Sequence, residues 1–557
     1  MSVADSTVAA ALGVGDDPAP AGSQRGDAAT EIPDVCLLVE GTYPFVSGGV
    51  SSWVHDVICG HPELTFAVLY VGSYPGAHGE PRYQLPANVV ALHRVFCQEA
   101  ALAPLDGAGR ATLREQIRTL RVAIDARPAS SRVLAGFERM HVEGEAGTDV
   151  LAALASNDLT LPELLHGRPS FQLLTTIAER VAPDAPFLDL FWHYRAIFAP
   201  VLRLLAAPTV PARCYHAVAT GYAGLLAALW SHRTGRPLMV TEHGIYARER
   251  DMELARADWI RDEAGGIAEP RSSINSWAPR VSPLRRLWSS FFRALSRIAY
   301  VQARHIITLS DANRVKQIAD GAPPEKIEIV PNGVALQHAP VPPATEPPPP
   351  PAEERGVIAL PARRLRVGFV GRVVPIKDLV TFVRACDIAL NSVDVDARVI
   401  GPTEEDPGYA GRCRQLVGRL GRSGNIQFVG PMPPARIYGD LDLVVLTSFS
   451  EGQPLVILEA YAWGLPVVAT DVGACREMIE GRGDDDRRIG PSGIVTRVAA
   501  PKETAAAIVR LARDVRLRWR MGAAGHQRVT AFYQRKDMLA RYRALYTSLI
   551  TEGGESR

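Results

Sequence analysis

Glu451 and Glu459, eight positions apart, flank an expected helix start in Ser450-Glu-Gly-Gln-Pro-Leu-Val-Ile-Leu-Glu459. The helix is expected to begin near Gln453, with Pro454 in its first turn, where a missing N–H costs nothing. A helix start presents unpaired amides and partial positive charge, which suit a phosphate. An acid two turns along the same helix can accept hydrogen bonds from a vicinal diol such as a ribose, and an acid just before it can take a sugar hydroxyl. A helix-dipole carboxylate followed by a solvated one explains the same spacing.

Three further features sit where strands should end. In Phe369-Val-Gly-Arg-Val-Val-Pro-Ile-Lys377, a buried run delivers Arg372 and then Lys377 into a loop before a helix. Two cations there suit a diphosphate that gains charge as it leaves, although two solvated basic residues would look the same. Gly48-Gly49 follows the first strand-like run, where glycines let amides approach a phosphate closely; a plain turn explains this pair equally well. The loop has neither the Lys-Ser/Thr of a P-loop nor the spaced dinucleotide fingerprint. Glu242-His243-Gly244 places an imidazole at another strand end.

The elements that must hold these residues read as two α/β units. Apolar runs at 34–40, 65–71, 89–95, 213–219, 237–241, 305–309 and 327–330 are expected strands. Helical patterns lie between them at 51–59, 220–232, 285–303 and 311–319. Helical spacing at 113–123, 151–155, 171–181 and 188–205 marks an insertion of about 100–205. After a proline-rich stretch with Pro340, Pro342, Pro343 and Pro347 to Pro351, which suits a linker, the rhythm restarts. Strands are expected at 365–370, 397–400, 426–429, 443–446, 466–469 and 493–495, with helices at 378–391, 409–420, 453–463, 502–514 and 536–550. Such alternation implies parallel sheets covered on both faces, with ligands at the strands' carboxyl ends and a cleft between the two domains.

The expected divisions are a disordered leader (1–32), a first Rossmann-like domain with the insertion (33–337), a linker (338–361), a second Rossmann-like domain (362–535), and a final helix (536–552) placed so that it could cross back to the first. The chain has 557 residues, with 61 Lys+Arg against 60 Asp+Glu. That balance gives no electrostatic reason to expect nucleic acid or an anionic membrane as partner. Seven scattered cysteines with no CxxC pair suit reduced thiols rather than zinc or a disulfide framework. No signal peptide or transmembrane segment is expected, which points to the cytoplasm. Asp484-Asp485-Asp486, the nearest thing to a metal-binding acidic motif, reads as a solvated turn.

Gly371-Arg372, Lys377, Ser450-Glu451-Gly452 through Glu459-Ala460, and Gly464-Leu-Pro-Val-Val-Ala-Thr-Asp-Val-Gly473 resemble the family-4 retaining glycosyltransferases of GT-B fold, from Pro331-Asn-Gly333 to about 515. Val39-Glu-Gly-Thr-Tyr-Pro-Phe-Val-Ser-Gly-Gly-Val-Ser-Ser-Trp53, with Thr241-Glu-His-Gly244 and the helical insertion, narrows the resemblance to the PelF-type glycosyltransferases of Pel exopolysaccharide biosynthesis. The resemblance implies a UDP-sugar donor, UDP-glucose or a UDP-N-acetylhexosamine, and transfer to a growing polysaccharide without cofactor or metal. It implies that Glu459 holds the ribose, Arg372 and Lys377 the diphosphate, and Glu451 the donor sugar. Backbone amides of Gly452, Gln453, Leu455 and Val456 would assist, Gly48 and Gly49 would close over the phosphate, and His243 would position the transferred sugar. An inner-membrane polysaccharide synthesis or export complex is the implied partner. A non-catalytic sugar-nucleotide-binding subunit and a GT-B epimerase are the alternatives.

Overall fold

The computed structural model describes residues 32–77, 79–98, 131–257, 259–260, 282–336 and 364–555. The leader up to residue 31, the helical pattern at 113–123 and the whole proline-rich linker (338–361) lie outside these residues. Two compact units emerge. One takes in the chain up to Thr308, Lys316–Glu328 and the residues from Tyr542 on; the other takes in Leu309–Val315 and Ile329–Arg541.

The first unit is built on strands β1 (Val35–Glu40), β2 (Phe66–Gly72), β3 (Val89–Phe96), β4 (Cys214–Ala217), β5 (Leu238–Glu242), β6 (His305–Thr308) and β7 (Ile327–Ile329). Their order is β3-β2-β1-β4-β5-β6-β7, and β1 lies parallel to both β2 and β4. The order reverses at β1 and β4, because the chain first builds outward to β3 and then returns to β1's free edge. A parallel return needs a crossover, and here the helical insertion supplies it. Its helices Arg132–Glu138, Thr148–Ala155, Leu161–His166, Arg168–Arg180 and Phe187–Ala206 share one continuous apolar core with the sheet, in which Phe137, Leu174 and Phe198 join Cys36, Leu38 and Leu69. The insertion is therefore part of this domain's core.

The second unit holds β8 (Leu365–Val370), β9 (Val395–Ile400), β10 (Ile426–Phe428), β11 (Leu443–Leu446), β12 (Val467–Thr470) and β13 (Gly493–Thr496), in the order β10-β9-β8-β11-β12-β13. Leu443 and Val445 face one apolar core while Val444 and Leu446 face another. A strand buried on both sides has no polar face to show, which is why it reads as an unbroken apolar run.

The sequence pattern missed helix Val515–Phe532, whose arginines blur its period. It also misread Asp484–Asp486. These residues lie in helix Gly483–Arg488, and although Asp484 and Asp485 are exposed, Asp486 is buried. The Asp486 carboxylate pairs with the fully buried Arg528 at 2.5 Å and accepts from the Arg482 amide at 2.7 Å. It is a structural counter-ion, not a solvated turn residue. Among the described residues no helix is long and apolar enough to cross a membrane. All seven cysteines are free thiols, and every one but Cys59 is buried.

The last helix, Arg535–Glu555, carries Tyr542 and Tyr546 one turn apart. Within the first unit, the Tyr546 hydroxyl meets His216 Nδ1 at 2.7 Å, and the Tyr542 hydroxyl lies 3.1 Å from Thr241 Oγ1, itself 2.8 Å from His216 Nε2. Burial pushes His216 down to about 3, and pushes both His141 and His243 down to about 4. His141 sits against Phe198 and Phe291, with neither ring nitrogen partnered among the described residues. Between the ordinary histidine value near 6.5 and these lowered values, the unfolded chain binds more protons than the folded one. Stability conferred by the neutral rings is thus complete above pH 6.5 and is lost as pH falls. Glu242, raised by burial, opposes this because its folded form takes a proton first. We expect the urea midpoint of the first domain to fall between pH 6.5 and 4, and His141→Phe to flatten the slope by about one proton. A midpoint independent of pH over that range would refute it.

Candidate active site

In an open parallel sheet, ligands bind beyond the carboxyl ends of the strands where the order reverses. In the second domain that point lies between β8 and β11, and two of the expected residues meet there. Lys377 Nζ lies 2.6 Å from Glu451 Oε1, with side chains 21% and 9% exposed. Lys377 closes a short 3₁₀ turn, Pro375–Lys377. Asp378 follows at φ +46, a left-handed conformation that aspartate tolerates, and its carboxylate caps helix Leu379–Ala389 through the Thr381 amide.

The loops after β8 and β11 are stitched together. Phe449 N donates to Ile376 O at 2.8 Å and Thr447 Oγ1 to Asp378 O at 2.8 Å, while Thr470 Oγ1 holds Ser448 O at 2.7 Å. Ser448 Oγ donates to Glu451 Oε1 at 2.6 Å. Gly473 is required by proximity as well as by its φ of +52: a Cβ there would come 2.0 Å from the Glu451 carbonyl oxygen and 2.4 Å from that of Gly452. The close approach lets Ala474 N donate to Gly452 O at 2.8 Å.

The helix after this loop is Leu455–Ala462, so it begins two residues later than expected, with Pro454 immediately before its first turn. The amides of Leu455 and Val456 lie in that first turn, where no carbonyl of the helix can reach them. Gln453 also acts through its buried side chain, which accepts from Asn332 N at 2.6 Å and so ties the Pro331-Asn-Gly333 loop to this one. Glu459 lies on the same helix and accepts from the Tyr438 hydroxyl at 2.5 Å. Burial raises its carboxyl above the ordinary range, and the tyrosine hydroxyl partly offsets this. Arg372 reaches the same end of β8 but is held by Glu405 at 2.6 Å, with both side chains well exposed.

In the first domain, Gly48 stands at the start of helix Gly49–Cys59 with an extended φ of 171 and no side-chain cap. A Cβ on Gly48 would meet nothing within 4 Å. Neither backbone conformation nor packing therefore requires glycine there, and the exposed helix start remains open to a close-fitting ligand. Gly49 is likewise exposed. His243 follows the last residue of β5, its ring edge-on to Trp53 of that helix with centroids 4.6 Å apart. Its Nε2 is buried without a partner among the described residues, and its lowered pKa leaves it neutral and weakly basic near pH 7. The preceding Glu242 is locked by Thr220, Tyr246 N, Tyr300 and Gln317, which fixes the strand end carrying His243.

The structure thus joins Lys377 to Glu451 and places His243 beside the glycine-started helix, but engages Arg372 elsewhere. Sequence reasoning missed Ser448, Tyr438, Glu405 and Trp53. Ser448, three residues before Glu451 at a strand end, was open to inference. Tyr438 ends a short helix and Glu405 lies in a loop, with no pattern linking either to the site.

The chain is 28% identical over 376 residues to the D-inositol 3-phosphate glycosyltransferase of Acidothermus cellulolyticus, covering 66% of this chain and 74% of that protein. It is 25% identical over 325 residues to the MMP alpha-(1->4)-mannosyltransferase of Mycolicibacterium hassiacum, covering 57% and 67%. Among solved structures, HepE of Anabaena, in complex with UDP and glucose, matches with a TM-score of 0.53 at 16% identity over 93% of this chain and all of that one. Sucrose-phosphate synthase of Thermosynechococcus elongatus matches with a TM-score of 0.53 at 15% identity over 93% and 99%. These likenesses show the GT-B fold. Residues 364–514 match the family described as glycosyl transferases group 1. Since residues 33–325, more than half of the chain, match the domain of unknown function DUF3492, the protein belongs to the DUF3492 family.

Proposed function

We propose that the protein is a retaining, family-4 glycosyltransferase that moves a sugar from a UDP-sugar, UDP-glucose or a UDP-N-acetylhexosamine, to a growing polysaccharide. The observation that carries this reading is the Lys377–Glu451 pair at the β8/β11 switch point, beside a helix start whose amides are free for phosphate. Lys377 neutralises the leaving diphosphate, and Glu451, held on one oxygen, takes a hydroxyl of the donor sugar. Arg372 joins Lys377 once the diphosphate displaces Glu405, since an exposed ion pair is worth at most about 1 kcal/mol. These charges and the amides of Gly452, Gln453, Leu455 and Val456 supply what a leaving UDP needs, which is the basis for reading transfer as metal-independent.

Glu459 takes the ribose hydroxyls, and Gly48 and Gly49 let backbone amides approach a phosphate. The neutral His243 positions the sugar and does not act as base. In front-face transfer the bond from the anomeric carbon to phosphate oxygen breaks, the bond to the acceptor oxygen forms on the same face, and the departing phosphate oxygen takes the acceptor's proton. The resemblance of residues 39–53 and 241–244 to PelF-type enzymes supports Pel-type exopolysaccharide as the product, made in the cytoplasm beside an inner-membrane export complex.

A panel of UDP-glucose, UDP-N-acetylglucosamine and UDP-N-acetylgalactosamine tests the reading, with GDP-mannose as control. One UDP-sugar should raise the melting temperature and release UDP when an acceptor glycan is present. The new linkage should keep the donor's anomeric configuration, and an inverted product overturns the retaining assignment. Stabilisation by UDP-sugar with no UDP release would support a non-catalytic binding subunit instead.

A further inference from the structure

The two glutamates of the loop–helix unit share an arrangement that their sequence spacing does not reveal. On Glu451, the Lys377 ammonium and the Ser448 hydroxyl both bind Oε1, leaving Oε2 with no partner among the described residues. On Glu459, the Tyr438 hydroxyl binds Oε2, leaving Oε1 likewise unpartnered. Both hydroxyl donors are deeply buried: Ser448 is 0% and Tyr438 1% exposed. Ser448 is further clamped through its carbonyl by Thr470. Tyr438 ends the short helix Pro434–Tyr438 and packs in the same apolar core as Ile457 and Leu458 of the Glu459 helix. A carboxylate gripped on one oxygen by a buried donor cannot rotate freely, so its second oxygen points in a fixed direction.

We propose that Tyr438 and Ser448 are positioning residues, each tying one carboxylate oxygen so that the other is aimed at a hydroxyl of the nucleotide-sugar: Tyr438 through Glu459 for the ribose, Ser448 through Glu451 for the donor sugar. The inference rests on the ligand roles given to the two glutamates above. It also has an electrostatic consequence. Burial and the Tyr438 hydroxyl are the two influences acting on the Glu459 carboxyl, burial raising its pKa and the hydroxyl lowering it, and Tyr438 is the titratable group that faces it. Removing that donor raises the carboxyl further, so the acid limb of any binding that needs the carboxylate moves to higher pH.

Calorimetry with UDP and 2′-deoxy-UDP tests the tyrosine. The wild-type chain should bind UDP at least tenfold more tightly than the deoxy form. Tyr438→Phe keeps the buried ring, so the fold should survive. It should bind UDP about tenfold more weakly, lose most of the preference for the 2′-hydroxyl, and shift the acid limb of UDP affinity upward. Preference and limb both unchanged in Tyr438→Phe overturn this inference alone. A wild-type chain that binds the two nucleotides equally overturns the ribose role of Glu459 as well. Ser448→Ala should lower kcat for transfer ten- to a hundredfold while leaving UDP affinity and the deoxy preference intact, with partial recovery in Ser448→Thr. A kcat within threefold of wild type in Ser448→Ala overturns the serine's role.

Discussion

Lys377→Ala is expected to lower kcat for sugar transfer about a thousandfold, the usual cost of removing a group aimed at charge that develops as the leaving group departs. The lysine is well placed for a large effect. Its side chain is mostly shielded from water, where a fixed charge acts more strongly than in solvent. It sits on a turn held to the loop after β11 by Thr447 and Phe449, so little reorganisation is needed during the reaction. Its ammonium has three donors and, among the described residues, spends one on Glu451, leaving two for a diphosphate.

The loss should appear in kcat more than in the donor KM, because the charge being neutralised grows toward the transition state. Lys377→Arg should recover only part of the activity, since a planar guanidinium does not reproduce a compact ammonium on this short turn. Glu451 stays tethered by Ser448 in Lys377→Ala, so thermal unfolding should move by only a few degrees and distinguishes lost chemistry from lost fold. Activity within threefold of wild type would remove Lys377 from the mechanism and leave the positive charge to Arg372 and the helix amides.

The second large effect concerns stability. Arg528 is fully buried, and its guanidinium makes five hydrogen bonds: Nε to Asp486 Oδ1, Nη1 to Ile479 O and Ser492 Oγ, and Nη2 to Asp486 O and Gly490 O. All five N–H donors are thereby used. The pair fastens helix Val515–Phe532 to the segment leading into β13. Arg528→Met keeps most of the volume but strands a buried carboxylate and removes the donor from three backbone carbonyls. Breaking a buried pair by removing one partner costs about 3–5 kcal/mol, which for a domain of this size lowers the melting temperature by roughly 10 °C. Arg528→Met combined with Asp486→Leu should recover part of the loss, because the unpaired charge is gone, while Ile479 O and Asp486 O keep the amides of Ser492 and Ile489 as donors and Gly490 O still loses the guanidinium. A loss below about 1 kcal/mol in the single variant would mean that water reaches this site and solvates Asp486.

Much of the architecture is legible in the residues alone. Parallel strands covered on both faces must be continuously apolar, and the runs at 365–370 and 443–446 coincide with β8 and β11. Lys377 and Glu451 could be nominated because charged residues directly after such runs have to lie at a strand's carboxyl end. The partners of these groups were not legible. Hydrogen bonds and ion pairs made across loops leave no period in the chain: Glu405 lies 33 positions from Arg372, Tyr438 lies 21 from Glu459, and Arg528 lies 42 from Asp486. Asp484-Asp485-Asp486 shows the limit clearly. Three identical residues in a row give no sign that the third is buried, because burial there depends on an arginine brought in by a later helix.

The sequence by itself therefore determined two α/β domains, the positions of their strand ends, and which charged residues stand at them, since strand period and hydrophobic burial are written locally. Only the tertiary structure decided that Lys377 meets Glu451, that Arg372 is held by Glu405, and that one oxygen of each glutamate is tied while the other is left open. Those facts depend on the packing of segments far apart in the chain, and pairwise electrostatics acts on distance in space, which position in sequence does not encode.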